Sequence, residues 1–221
     1  MKHITITIDG PAGTGKSTIA QEVAKRLGYL YLDTGALYRA AALAIDDAGA
    51  DVTDDAQCGK IASQAKISFT GTAIELNGKD VTSLIRTSRM SSLASQIAVH
   101  LSVRKALLAI QRSFKENNSL VAEGRDTGSV VFPDAQIKIF LDASVNERAK
   151  RRHEELLAKG TPATYNEVLN DVKARDNRDS TRETSPLVIP EHAIVVDTTH
   201  LNIDGVVQTV LEVIQEKLAD K

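Results

Sequence analysis

Residues 10 to 17 read Gly10-Pro11-Ala12-Gly13-Thr14-Gly15-Lys16-Ser17. The stretch fits the phosphate-binding loop G-x-x-x-x-G-K-[ST] at every fixed position. Its flanks agree with that reading. Before it, Ile4-Thr5-Ile6-Thr7-Ile8 alternates β-branched residues, the pattern of a strand. After it, Ile19, Val23 and Leu27 recur every four residues, the pattern of a helix. A strand–loop–helix unit lets backbone N–H groups and a helix N-terminus converge on phosphate oxygens. Residues 10–17 and the adjacent Thr18 are therefore candidate nucleotide-binding residues. Lys16 would reach the β- and γ-phosphates, and the Ser17 hydroxyl would ligate Mg²⁺.

The rest of the chain sets the frame. With 221 residues there is room for one large domain with small insertions. Charged residues make up 25% and hydrophobic ones 42%, which fits a soluble globular protein rather than a disordered one. The net charge of −2 and an aromatic content of 4% speak against a nucleic-acid partner. Every apolar run falls short of the roughly 20 residues of a membrane span, so no membrane partner is expected. Cys58 is the single cysteine and excludes an intrachain disulfide. It lies in a polar, Gly-containing stretch and reads as a half-exposed thiol. The cysteine usage, and an N-terminus that begins a strand without a leader-like apolar region, give a cytoplasmic expectation.

Five short segments read as buried strands: 4–8, 29–32, 120–123, 137–141 and 193–197. Helical patterns fall at about 15–27, 35–48, 100–117, 146–159, 165–180 and 203–218. Strands alternating with helices predict an α/β fold, a parallel sheet covered by helices on both faces. Such sheets bind ligands at the carboxyl ends of their strands. The loop at 10–17, Asp33, Glu123 to Asp126 and Asp142 all fall there. Residues 66–82 break the pattern and read as a small antiparallel meander with turns at Gly71 and Asn77-Gly78. It is an insertion that either handles a ligand or merely decorates the surface.

Several charged groups carry candidate chemistry. Asp33, in Leu32-Asp33-Thr34-Gly35, either holds Mg²⁺ through water or caps the helix that follows. Arg39 lies one turn into that helix. Glu123-Gly124-Arg125-Asp126-Thr127-Gly128 sets opposite charges between glycines at a strand end. Arg binds phosphate bidentately and Asp accepts from an amino group, although an Arg–Asp surface turn has the same sequence. Arg175, Asp179 and Arg182 fall on one helix stripe. With Arg178 beside them they are either a solvated ion-pair face or an excess of guanidinium kept for an anion. Arg148, Lys150, Arg151 and Arg152, closed off by Gly160 and Pro162, read as a positively charged flap or as a mixed-charge surface helix.

Taken together the chain resembles the bacterial cytidylate kinases, a branch of the nucleoside monophosphate kinases. The resemblance runs through Ile8 to Ser17, Leu32 to Arg39, Ala94 to Gln96, Val103 to Leu107, Glu123 to Pro133, Lys138 to Ser144 and Arg175 to Arg182. It implies a P-loop kinase fold with strand order 2-3-1-4-5, a core of residues 1–58 and 93–221, a helical lid at about 148–165, and a monophosphate-binding insertion at 59–92. It implies that CMP, and dCMP, are phosphorylated by ATP with Mg²⁺, on a monomer. Carried over, Arg39, Arg125 and Arg182 hold the CMP phosphate, and Ser95, Arg104 and Asp126 read the cytosine. Arg175 and Asp179 contact the sugar, Thr34 keeps a hydroxyl at the acceptor site, and Arg148 and Arg151 belong to the lid. Lys16, Arg125, Arg182, Arg148 and Arg151 form the catalytic set, with Ser17 and Asp33 toward the metal.

Two rivals are weaker. A regulatory GTPase needs a guanine-reading Asn-Lys-x-Asp segment after a strand. The nearest string, Asn77-Gly78-Lys79-Asp80, is a hairpin turn of the wrong spacing. Another small-molecule kinase, acting on UMP, AMP or shikimate, shares the loop; the set Ser95, Arg104 and Asp126 argues against adenylate and shikimate.

Overall fold

The computed structural model describes residues 3–69 and 73–219. Gly71, expected at the first turn of the meander, lies outside the described residues. The chain opens on β1 (Thr5–Asp9), which is buried along its whole length. There follow α1 (Lys16–Leu27), β2 (Leu30–Asp33), α2 (Thr34–Asp47) and α3 (Asp55–Gln64). The meander is β3 (Ile67–Phe69), β4 (Ile74–Leu76) and β5 (Lys79–Asp80), followed by α4 (Ser88–Ile97) and α5 (Leu101–Ser113). The last third comprises β6 (Leu120–Gly124), β7 (Ile137–Asp142), α6 (Val145–Ala158), α7 (Tyr165–Thr181), β8 (Ile194–Asp197) and α8 (Ile203–Ala219).

The large sheet runs β2-β6-β1-β7-β8, all parallel, which is the 2-3-1-4-5 order of its five strands. Successive side chains of a strand point to opposite faces. Accordingly β6 gives Leu120 and Ala122 to one hydrophobic cluster and Val121 to the other. Ile6 and Ile8 are fully buried, each worth roughly 1.5–3 kcal/mol. The register pairs Asp9 with Gly124 and Asp33 with Glu123. The chemically active strand ends are thereby set side by side.

The antiparallel meander forms as expected, with Ile67 opposite Leu76. Its Ile67, Ile74 and Leu76 belong to the same cluster as Leu37 and Ile45 of α2. Two flanking helices, α3 and α4, were not among the expected elements. One correction concerns Cys58. It is buried within α3, its Sγ 3.4 Å from the Asp51 carbonyl, because the small residues Gly59 and Ala62 let α3 pack closely on α5. Burial pushes its thiol pKa up. Among the described residues no single helix is long and apolar enough to cross a membrane.

Candidate active site

The loop between β1 and α1 is shaped for a phosphate chain. Gly10 has φ 149°, and a Cβ there would overlap the Leu141 carbonyl oxygen, so the first loop position accepts only glycine. Asp33, Asp54, Thr87, Ser144 and Thr164 cap their helices with side-chain oxygens. Gly15 gives α1 no such cap. The first N–H groups of α1 are thus left for an anion. Lys16 is buried and donates from Nζ to the Pro11 carbonyl at 2.6 Å and to Thr14 Oγ1 at 3.2 Å. Burial, and then the neighbouring Arg125, hold its pKa well below the usual lysine value.

Ser17 Oγ donates to Glu123 Oε1 at 2.6 Å. Glu123 is pushed up to about 7, by burial first and then by the Asp33 charge. Asp33 caps α2 through Oδ1, which accepts from the Ala36 N–H at 2.8 Å, while Oδ2 accepts from Arg39 Nη2 at 2.8 Å. The capping alternative for Asp33 is therefore realised in the fold. Thr34 donates its hydroxyl to the Glu123 carbonyl at 2.7 Å and ties the start of α2 to β6.

Arg125 and Asp126 leave their turn in different directions. Arg125 Nε donates to Asp179 Oδ2 at 3.0 Å, and Arg175 lies 4.0 Å from the same oxygen. Burial would raise the Asp179 pKa, but Arg125, Arg175 and Arg182 together hold it below the ordinary carboxylate value. Arg175 is lowered to about 10 by burial and by Arg125. Its Nε and that of Arg39 are buried without a hydrogen-bond partner. Unsatisfied buried guanidinium donors are costly in isolation and fit an anionic ligand.

Asp126 pairs with Arg104, and Arg182 approaches its other oxygen at 3.4 Å. Arg182 Nε also donates to the Ser185 carbonyl at 2.7 Å, so Arg182 leans toward Asp126 while Arg39, Arg125 and Arg175 gather nearer the loop. The Arg104 guanidinium lies over the Tyr38 ring at 5.6 Å. Burial pushes Tyr38 up to about 12, which keeps the phenol neutral. Ser95 Oγ accepts from Arg178 Nη1 at 2.8 Å.

The groups face one cavity of about 730 Å³, running from Ala12, Lys16 and Ser17 to Ser95, Arg104 and Asp126. Two expected site residues stand apart from the cavity in this structure. The sequence places Arg148 and Arg151 on a flap over this cavity, yet neither lines it. Arg148 is buried and donates to the Ala12 and Ala143 carbonyls and to Asp176 at 2.6 Å. Arg151 donates to the Thr198 carbonyl at 2.6 Å and pairs with Glu147. Arg148 shares a stripe of α6 with Arg152, but it sits in the first turn and is taken up behind the loop, so Arg152 and the C-capping Lys159 are the basic side chains that reach the cavity from here. Reading residues alone underrates Glu123, Tyr38 and Arg178. Their signals were the strand-end position of Glu123 and the helical spacing of Arg178 with Arg175 and Arg182.

The sheet order, the loop and the arginine-lined cavity define a P-loop phosphotransferase. Solved structures agree at the level of fold. A gluconokinase from Sinorhizobium meliloti 1021 superposes with a TM-score of 0.50 at 16% identity, covering 97% of this chain and 93% of that one. An uncharacterized protein from Eubacterium ventriosum gives 0.55 at 15% identity, over 97% and 99%. A profile of the cytidylate kinase family matches residues 6–216. A cytidylate kinase of Polynucleobacter necessarius is 47% identical over 94% of this chain and 96% of its own. One from Shouchella clausii is 44% identical over 97% of each. The chain belongs to the cytidylate kinase family, nucleoside monophosphate kinases that phosphorylate CMP.

Proposed function

We propose that this chain transfers the γ-phosphoryl group of ATP to CMP and dCMP, with the loop at 10–17 and Thr18 holding the donor and the Asp126 end of the cavity holding the acceptor. The observation that carries the reading is the Asp126 carboxylate, buried at one end of an arginine-lined cavity and braced by Arg104 and Arg182. Cytosine offers an N4 amino donor beside acceptors at N3 and O2. A carboxylate and a guanidinium side by side complement that edge. Uracil reverses the first two groups and would leave both charges unpaired.

Arg39, Arg125 and Arg182 would take the acceptor phosphate, and Arg175 and Asp179 the sugar side. Lys16 would bear on the transferred group. Phosphoryl transfer asks mainly for positioning and charge stabilisation. The attacking oxygen belongs to a phosphate already ionised near neutral pH, so no general base is required. The site fits Mg²⁺ in its chemistry. Ser17 offers a hydroxyl with the Asp33 and Glu123 carboxylates behind it, the hard oxygen donors that Mg²⁺ takes. No group of three acidic, histidine or cysteine side chains placed to bind a metal occurs among the described residues. Such an ion would be held largely by phosphate oxygens, and its charge would offset theirs. Arg152 and Lys159 would face the nucleotides from α6, with Arg148 bracing the loop from behind.

The test is ADP release measured against CMP, dCMP, UMP and AMP. CMP and dCMP should be accepted, with kcat/KM for UMP lower by at least about tenfold, because mismatched charged hydrogen bonds cost 1.5–3 kcal/mol each. Equal use of UMP would overturn the assignment of Asp126 and Arg104 to the base.

A further inference from the structure

Asp9 closes β1 and is fully buried. It shares its face of the strand with Thr5 and Thr7, while Ile6 and Ile8 fill the apolar cluster on the other face. A carboxylate at such a depth is expensive unless its oxygens are satisfied. Both are satisfied by a single turn. Oδ1 accepts from the Thr127 N–H at 2.8 Å, and Oδ2 accepts from the Gly128 N–H at 2.7 Å. These two groups open the π-helical turn at Thr127–Val131, directly after Arg125 and Asp126. The far end of that turn is held separately, by Arg112 donating to the carbonyls of Val130 and Val131 at 3.0 Å.

We propose that Asp9 is a positioning residue for acceptor choice: it clamps the Gly124–Gly128 turn to β1 and so fixes where Asp126 and Arg125 stand relative to the phosphate loop. The proposal rests on the assignment of Asp126 to the base. Three observations carry it. Asp9 immediately precedes Gly10, so one residue joins the loop that holds the donor to the turn that holds the acceptor groups. Asp9 also sits opposite Gly124 in the sheet register, so the clamp acts at the start of the turn. Finally, a Cβ on Gly128 would lie 2.6 Å from Thr7 Oγ1 and 3.2 Å from Asp9 Oδ2. Only glycine lets the turn come this close to β1. Both Arg125 and Asp126 act through pairs with other elements, α7 for one and α5 for the other. A small rotation of the turn would strain both pairs at once.

The experiment compares Asp9→Asn, Gly128→Ala, Asp126→Asn and, as a core control in the same strand, Ile8→Val. Asn at position 9 keeps the shape but sets an amide N–H₂ against one backbone N–H. Asp9→Asn should raise KM for CMP by about tenfold or more and leave KM for ATP within about twofold, since the lost bond orients the acceptor side alone. Its preference for CMP over UMP in kcat/KM should fall by about fivefold or more. Gly128→Ala should show the same split by displacing the turn sterically, and Ile8→Val should show neither change. The clamp is overturned if KM for CMP and ATP rise together in Asp9→Asn, or if only thermal stability drops while KM and base preference match Ile8→Val. A base preference untouched by Asp126→Asn would instead remove the base-reading assignment, and the KM split in Asp9→Asn would still decide on the clamp.

Discussion

Lys16 stands buried with its ammonium on the Pro11 carbonyl rather than on a carboxylate, although Glu123 is near enough to be felt. Such a cation, with no carboxylate among the described residues hydrogen-bonded to it, is open to an anionic ligand. Lys16→Ala should leave the fold intact, because no apolar core is lost, and should lower the transfer rate by a factor of about 10² or more. Near-normal turnover in a variant with unchanged melting would dismantle the role given to the loop. Asp9 yields a second prediction, with a sign fixed by linkage. Burial raises its pKa from 3.8 to about 6, and the nearby Asp126 charge adds to the rise. The folded state then binds more protons than the unfolded one between those values, so this group's contribution to stability is present below pH 3.8 and is lost as pH rises through about 6. The destabilisation caused by Asp9→Asn should therefore be larger at pH 4.5 than at pH 7, read from urea unfolding of both proteins. A penalty that grows toward pH 7 would show that the native state prefers the ionised carboxylate. From sequence, single residues were legible where a motif fixed their place, as with Lys16 and Ser17, which do line the cavity. They were less legible where function depends on which neighbour a side chain meets. The Arg125-Asp126 dipeptide reads as one pair, yet the fold sends each to a different partner.

At the level of elements, strong periodicity translated well. The five sheet strands and the helices at 16–27, 34–47, 145–158, 165–181 and 203–219 all form within a few residues of expectation. The missed helices have separate causes. In α3 the buried side is Cys58, Gly59 and Ala62, too small to give an apolar stripe. In α4, Met90, Leu93, Ala94 and Ile97 do follow helical spacing, and the signal was masked by the serines between them. For Arg148 and Arg151 composition does not give the partner: Arg148 shares its helix face with Arg152 yet meets Ala12 and Asp176, and Arg151 meets Thr198 and Glu147. The insertion supplies the next prediction. Phe69, Ile74, Ile85 and Arg86 give the cavity a wall from the insertion, while Arg178 and Arg152 reach across to Ser95 and Ser88 of α4. Acceptor binding should tighten that wall. Amide exchange across residues 60–90 should slow at saturating CMP, and unchanged exchange there would make the insertion a rigid surface feature.

Over the whole molecule the net charge is −2, but ten basic side chains line the cavity against six carboxylates. Positive charge is thus concentrated where phosphates are to be handled and outweighed elsewhere by acids. Without a ligand this arrangement works against stability: Arg175 is lowered to about 10 by burial and by Arg125 beside it, and the Nε atoms of Arg39 and Arg175 have no hydrogen-bond partner among the described residues. A bound acceptor, with its phosphate at Arg39 and Arg125 and its sugar at Arg175, would relieve both burdens, and anything that binds only the folded state stabilises it by mass action. At a hundredfold excess over Kd the gain is about 2.7 kcal/mol, which for a domain of this size corresponds to a rise in Tm of roughly 5–10 °C. CMP should produce that rise, and raising the ionic strength should shrink it as charge is screened. Cytidine carries the same base and sugar without the phosphate. If the arginine excess is the source of the stabilisation, cytidine at the same concentration should shift Tm far less than CMP. An equal shift from cytidine would place the binding energy in the base alone and leave the excess positive charge of the cavity without a purpose in acceptor binding.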